Sequence, residues 1–176
     1  ITELMIEKCF ACFTGRDDEF SINLSYGDIT EPETVAQILS AIETSGIGDR
    51  VIFEILESDG ITNYDDIRTF IEQVKPYGCR IAIDDFGTGY SNFSHLLSLN
   101  VDFIKIDGSL IRNLHEDQTA FLVTSGIVQF ARSLDIQTVA EFVHNEPVQA
   151  KVRELGIDFS QGEYVSMPVP APGSAD

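Results

Sequence analysis

Short apolar runs of strand length alternate along this chain with stretches of helical periodicity, and that alternation restricts it to a small set of folds. Val51 to Leu56 reads VIFEIL, and Arg80 to Phe86 reads RIAIDDF. Both are near-continuous apolar segments, the pattern of strands covered on both faces of a parallel sheet. Between them Ile67, Phe70, Ile71 and Val74 recur on one helical face, and Pro76 and Gly78 stop that helix. The same rhythm predicts a helix over residues 1–13 and a strand over 20–25. A capping box, Thr30 with Glu33, then opens a helix with Pro32 in its first turn and Val35, Ile38, Leu39 and Ile42 on its apolar face, ended by Gly46. Downstream it predicts a short helix near 92–99, a strand over 102–107 and a helix over 118–134. A strand over 137–142 follows, then a helix capped by Asn145 with Pro147 near its start and Gly156 after its end, and a last strand near 159–165. Six strands in alternation with helices mean an α/β protein with a parallel sheet and helices outside it. The residues after Pro168 are Val, Pro, Ala, Gly, Ser and Asp, so the reading is one domain over 1–168 and a disordered tail over 169–176.

Charge excludes several kinds of function. With 29 acidic and 11 basic residues the 176-residue chain carries a net charge of −18. Blanket attraction to a nucleic acid duplex or to an anionic membrane is not expected of it. An anionic substrate would need cations at its site. No apolar run reaches the roughly 18 residues that would span a bilayer, and the first residues, ITELMIEKCF, do not read as a signal peptide. Cys9, Cys12 and Cys79 make an odd count, which suits a reducing, cytoplasmic setting. Cys9 and Cys12 form a lone CxxC without two further ligands nearby, so they read as small apolar residues on the inner face of the first helix rather than as a zinc site.

Polar residues recur at one place in the rhythm. Asn23 lies in SINLS, Glu54 inside VIFEIL, Asp84 and Asp85 in RIAIDD, Lys105 and Asp107 in FIKID, Glu141 in TVAE and Gln161 in SQG. In an α/β barrel the C-terminal ends of the strands converge on one mouth, where active sites lie. Several hard oxygen donors there suit Mg²⁺ or Mn²⁺. Each residue also has a structural explanation. Glu54 can pair with a lysine, Asp84 and Asp85 can cap the following turn, Lys105 can neutralise one carboxylate, and Asn23 and Gln161 can satisfy backbone groups. Taken together, polar residues at every strand end favour a site.

At these same residues the chain resembles the EAL domain family. Ile83 to Ser91, IDDFGTGYS, is close to a family signature, and SINLS, FEILES, FIKIDGSLIRNL, VAEFV and the QG of SQGEY occur in the family's order and approximate spacing. The resemblance implies a (β/α)8 TIM-type barrel that cuts one phosphodiester bond of cyclic di-GMP to give linear pGpG, using two Mg²⁺ or Mn²⁺ ions and inhibited by Ca²⁺. Asn23, Glu54, Asp84 and Asp85 then look like metal ligands. Lys105 and Gln161 look like residues that position the attacking water, and Glu141 like the carboxylate that assists it or holds the metals. Glu57 resembles the residue that anchors the loop after Asp84 and Asp85. The resemblance also implies a cytoplasmic domain, a homodimer formed through the barrel, and sensor or GGDEF domains in a full-length parent that can itself be membrane-anchored.

Some positions depart from the family pattern. The Glu-Ala-Leu strand that names the family, and with it the first two barrel strands, has no counterpart in these residues, from which poor hydrolysis by the chain alone is expected. Phe142 stands where the family usually has glycine, His144 where it has a carboxylate, and Glu163 where an aromatic residue follows Gln-Gly. A bulky Phe142 narrows the pocket; His144 is either a metal ligand or a substituted site residue with a weaker role. Three hypotheses follow: a metal-dependent phosphodiesterase, a degenerate domain that binds cyclic di-GMP without cutting it and signals through a protein partner, and an interaction module that binds no nucleotide.

Overall fold

A computed structural model of the chain describes residues 2–56, 63–87 and 93–169. Glu57 and the expected tail from residue 170 onward lie outside the described residues. The chain forms two compact units, one comprising Ile1–Ala82 with Ser94–Asn100, the other Ile83–Phe93 with Val101–Pro170.

In the first unit, helix α1 (Thr2–Phe13) precedes strand β1 (Phe20–Leu24). Phe10 and Phe13 of the helix meet Phe20, one edge-on and one stacked, at centroid distances of 5.6 and 4.3 Å. Strand β2 (Val51–Leu56) pairs parallel to β1, with Asn23 opposite Glu54. Its side chains alternate. Val51, Phe53 and Ile55 are fully buried, whereas Ile52, Glu54 and Leu56 are half-buried. Helix α4 (Tyr64–Val74) buries Ile67, Phe70, Ile71 and Val74, the expected face, with Phe70 edge-on to Phe53 at 5.6 Å. Each such aliphatic or aromatic side chain contributes about 2 kcal/mol by leaving water.

The helix expected to open at Thr30 opens instead at Pro32, and a separate short helix precedes it. Helix α2 (Tyr26–Thr30) comes first, and its capping box is made by Ser25 and Asp28, not by Thr30 and Glu33. Helix α3 (Pro32–Ser45) follows with Pro32 in its first turn and Gly46 as left-handed C-cap. Ser25 lies directly after β1, where its hydroxyl and Asp28 satisfy the first free N–H groups. That leaves Glu31 as a cap without a side-chain bond. Cys9 and Cys12 are half-buried on α1 rather than sealed inside, and Cys79 is the buried cysteine.

Strand β3 (Arg80–Phe86) begins in the first unit and ends in the second. Sheet order follows chain order, β1-β2-β3 in the first unit and β3-β4-β5-β6 in the second. The second unit adds α5 (Phe93–Leu96, divided between the units), β4 (Phe103–Ile106), α6 (Gly108–Ile111), α7 (Gln118–Ser133), β5 (Gln137–Ala140), α8 (Glu146–Leu155) and β6 (Phe159–Ser160). β4 is buried along its length and pairs parallel to β5, which pairs parallel to β6. Asn145 caps α8 through the Val148 N–H, as expected, and Asp117 caps α7 through those of Thr119 and Ala120.

Two strands are shorter than their apolar pattern suggests. β5 stops at Ala140 because Phe142 adopts a left-handed backbone, φ 58°, which breaks the ladder. β6 stops at Ser160 because Gly162, at φ 147°, turns the chain over the backbone of Val143. Pairing persists past both ends as single bonds: Val143 N–H donates to Gln161 O, and Tyr164 N–H donates to Val143 O. No helix among the described residues is long and apolar enough to cross a membrane.

Candidate metal centre

The second unit gathers charged side chains from the ends of three neighbouring strands. Asp84 comes from β3, Lys105 from β4, and Glu141 follows β5 directly. Asp84 and Lys105 are buried at 8% and 6% exposure. Lys105 Nζ lies 2.8 Å from Asp84 Oδ1 and 2.9 Å from Glu141 Oε1, so one ammonium bridges two carboxylates.

Asp85 joins them by an exception to strand geometry. Successive side chains of a strand point to opposite faces, so Asp84 and Asp85 would ordinarily diverge. Asp85 instead has φ 55°, in the left-handed region that aspartate tolerates. Its N–H donates to Asp84 Oδ1 at 3.1 Å. One ligand oxygen each from Asp84, Asp85 and Glu141 then lies within 4.8 Å of the others. Asp107, at the end of β4, adds a fourth carboxylate whose charge acts on Asp85, while its own side chain accepts a bond from Ser109 N–H at the start of α6.

Electrostatics at this cluster favour a cation. Burial is the largest influence raising the Asp85 carboxyl above its ordinary value, with the negative charges of Asp84 and Asp107 adding and Lys105 opposing. Glu141 is likewise raised, first by burial and then by Asp84 and Asp85, against the hydrogen bond and charge of Lys105. Clustered carboxylates held by a single ammonium are a donor set for a hard divalent ion such as Mg²⁺, Mn²⁺ or Ca²⁺. A thiol and imidazole site would suit zinc, but this cluster contains neither.

Gln161 lines a cavity of about 710 Å³ together with Glu141, Asp107, Arg112, Phe142 and His144. Its N–H donates to Ala140 O at 2.8 Å, which ties it to the end of β5. Asn23 and Glu54 are register partners in the first unit, Asn23 exposed and Glu54 half-buried. His144 Nδ1 lies 3.2 Å from Phe142 O and its Nε2 lies 2.9 Å from Asn145 Nδ2. The Nδ1–H tautomer satisfies both contacts, donating to the carbonyl and accepting from the amide. His144 therefore supports the turn at Phe142. Arg112 was not singled out by sequence reading, since it ends the four-residue helix α6, too short to show a periodic signal. It is the one lysine or arginine among the described residues lining the cavity.

A parallel α/β sheet carrying a carboxylate and lysine cluster at the ends of its strands defines the class as a barrel-type α/β protein. The chain belongs to the EAL domain family, whose sequence profile matches residues 1–168. It is 37% identical over 154 residues to the Escherichia coli cyclic di-GMP phosphodiesterase PdeF, covering 86% of this chain and 20% of that protein. It is 32% identical over 152 residues to the cyclic di-GMP phosphodiesterase PdeA of Borreliella burgdorferi, covering 86% and 23%. The chain thus spans about a fifth of the length of these relatives. Among solved structures, it resembles a MucR phosphodiesterase in complex with c-di-GMP, with TM-score 0.88 and 30% identity over 96% of this chain and 71% of that one. It also resembles Klebsiella pneumoniae BlrP1 in a manganese and c-di-GMP complex, with TM-score 0.80 and 29% identity over 92% and 43%. The (β/α)8 expectation therefore holds at the level of fold class, with six strands among the described residues.

Proposed function

We propose that this domain hydrolyses cyclic di-GMP to linear pGpG. The observation that carries the reading is the convergence of Asp84, Asp85 and Glu141 around Lys105 in a chain of the EAL family. Asp84, Asp85 and Glu141 are the residues of this cluster that would hold Mg²⁺ or Mn²⁺. Bound there, such ions supply neutralisation of the phosphodiester and acidification of a water. Lys105 holds the Asp84 and Glu141 carboxylates at fixed distance, so their oxygens need not reorganise when substrate arrives. Glu141, with its carboxyl raised by burial, accepts the proton of the attacking water. The water oxygen bonds to phosphorus, the bond from phosphorus to the ribose 3′ oxygen breaks, and that oxygen takes a proton from solvent while Glu141 returns its own to solvent. Gln161, held at the end of β5, orients the water with its amide.

The manganese and calcium complexes of BlrP1 support a divalent-ion site; inhibition by calcium belongs to the same proposal. The bifunctional cyclase and phosphodiesterase name of MucR supports sensor or GGDEF domains in a full-length parent. A cytoplasmic setting, in which the three cysteines stay thiols, and a homodimer belong to the same reading.

The test is chromatographic detection of pGpG from cyclic di-GMP, with Mg²⁺ or Mn²⁺ and with EDTA. Metal-dependent product that Asp84→Asn reduces by at least about 100-fold is expected. Nucleotide binding without product from the metal-loaded protein would favour the sensor hypothesis, and absence of both would favour the interaction module.

A further inference from the structure

Phe142 combines features that packing alone does not explain. It is an aromatic residue with a left-handed backbone, φ 58°, a conformation that costs a bulky side chain about 1–2 kcal/mol. The surrounding structure holds it there. Glu141 N–H donates to Ile106 O, Val143 N–H donates to Gln161 O, and His144 Nδ1 contacts the carbonyl of Phe142 itself. The side chain does not repay this by burial. It is 48% exposed and lines the cavity beside Glu141 and Gln161.

One surface of the ring is already occupied. The Arg112 guanidinium stands over it, 4.2 Å from the centroid. Gly108 makes room for the Phe142 stem, since a Cβ at that position would meet Phe142 Cβ at 2.8 Å. The ring is thus supported by a cation and a close backbone contact while much of it stays open to the cavity. A planar, solvent-facing aromatic ring in a cavity with one arginine is a platform for a heterocyclic base, because stacking uses the π-face and the cation tolerates the phosphate that accompanies it.

We propose that Phe142, backed by Arg112, is a stacking shelf for a purine base of the nucleotide, and so sets affinity beside the hydrolytic cluster. This rests on the proposed function above. The opposite role for the same ring is obstruction, and the two roles predict changes of opposite sign.

The experiment is calorimetric titration with cyclic di-GMP in Ca²⁺, for the wild-type chain and for Phe142→Gly, Phe142→Tyr and Arg112→Gln. Steady-state kinetics in Mg²⁺ accompany it. Glycine is at ease at this φ, so Phe142→Gly should fold at least as well as wild type, which circular dichroism checks. The shelf predicts that Phe142→Gly weakens binding by about 10-fold or more, Phe142→Tyr stays within about 2-fold, and Arg112→Gln falls between. In turnover, the loss should fall on KM rather than kcat. Unchanged or tighter binding by Phe142→Gly, with wild type binding normally, overturns the shelf and leaves the proposed function intact. A wild-type chain that binds no cyclic di-GMP overturns both.

Discussion

Lys105 is the residue on which the carboxylate cluster turns. It is buried and bridges Asp84 and Glu141, whose side chains are only 11% and 18% exposed. Removing a buried partner strands the opposite charges, which costs more than the pair itself contributes. Lys105→Met is therefore expected to lower stability in EDTA by about 3 kcal/mol, read by urea denaturation. Added Mg²⁺ or Mn²⁺ should restore part of that loss, because a divalent ion can take over the role of the ammonium. An equal loss with and without the ion would mean that Lys105 serves packing alone. Asp84, Lys105 and Glu141 were legible in the sequence because a polar residue at the end of an apolar strand stands out against its neighbours. Asp85 was read at the same strand end, but the backbone turn that brings it there was not legible, since strand alternation sends adjacent side chains to opposite faces and its positive φ reverses that.

Among the elements, the turn after β6 depends most on one residue. A Cβ on Gly162 would lie 2.3 Å from Val143 O and 2.5 Å from Val143 N, at a φ of 147° that side chains rarely adopt. Gly162→Ala should cost about 2 kcal/mol or more and, by moving Gln161, lower activity as well. Gly15→Ala serves as the comparison. Its φ is also positive, but nothing lies within 4 Å, so only backbone strain of about 1 kcal/mol is expected. Thermal melts of the two variants separate strain from collision. This turn also marks where sequence reading ran out. β2 and β3 were legible to the residue because each is one apolar run bounded by turn-formers. β5 and β6 were drawn too long because the apolar pattern of Phe142, Val143 and Val165 continues while the backbone departs from it, under contacts made between distant segments. Helices α2 and α6, of five and four residues, are too short for any periodicity to register.

At the scale of the whole molecule, a net charge of −18 acts on everything that approaches. Salt of any kind screens that self-repulsion, so a general salt effect must be separated from a specific site. MgCl₂ is expected to raise the melting temperature above NaCl of matched ionic strength, and Asp84→Asn should erase the difference. An ion present at 100 times its dissociation constant adds about 2.7 kcal/mol. Equal melting in the two salts would mean that magnesium acts on this protein by screening alone. The bridging lysine gives this experiment another meaning. A fixed ammonium already seated between two carboxylates is a resident rival to every mobile cation. The strength with which the centre takes up an ion is then the difference between two attractions, not the full pull of its carboxylates. Such a centre can be strongly anionic and still release what it binds, and its occupancy can follow the ion concentration around it.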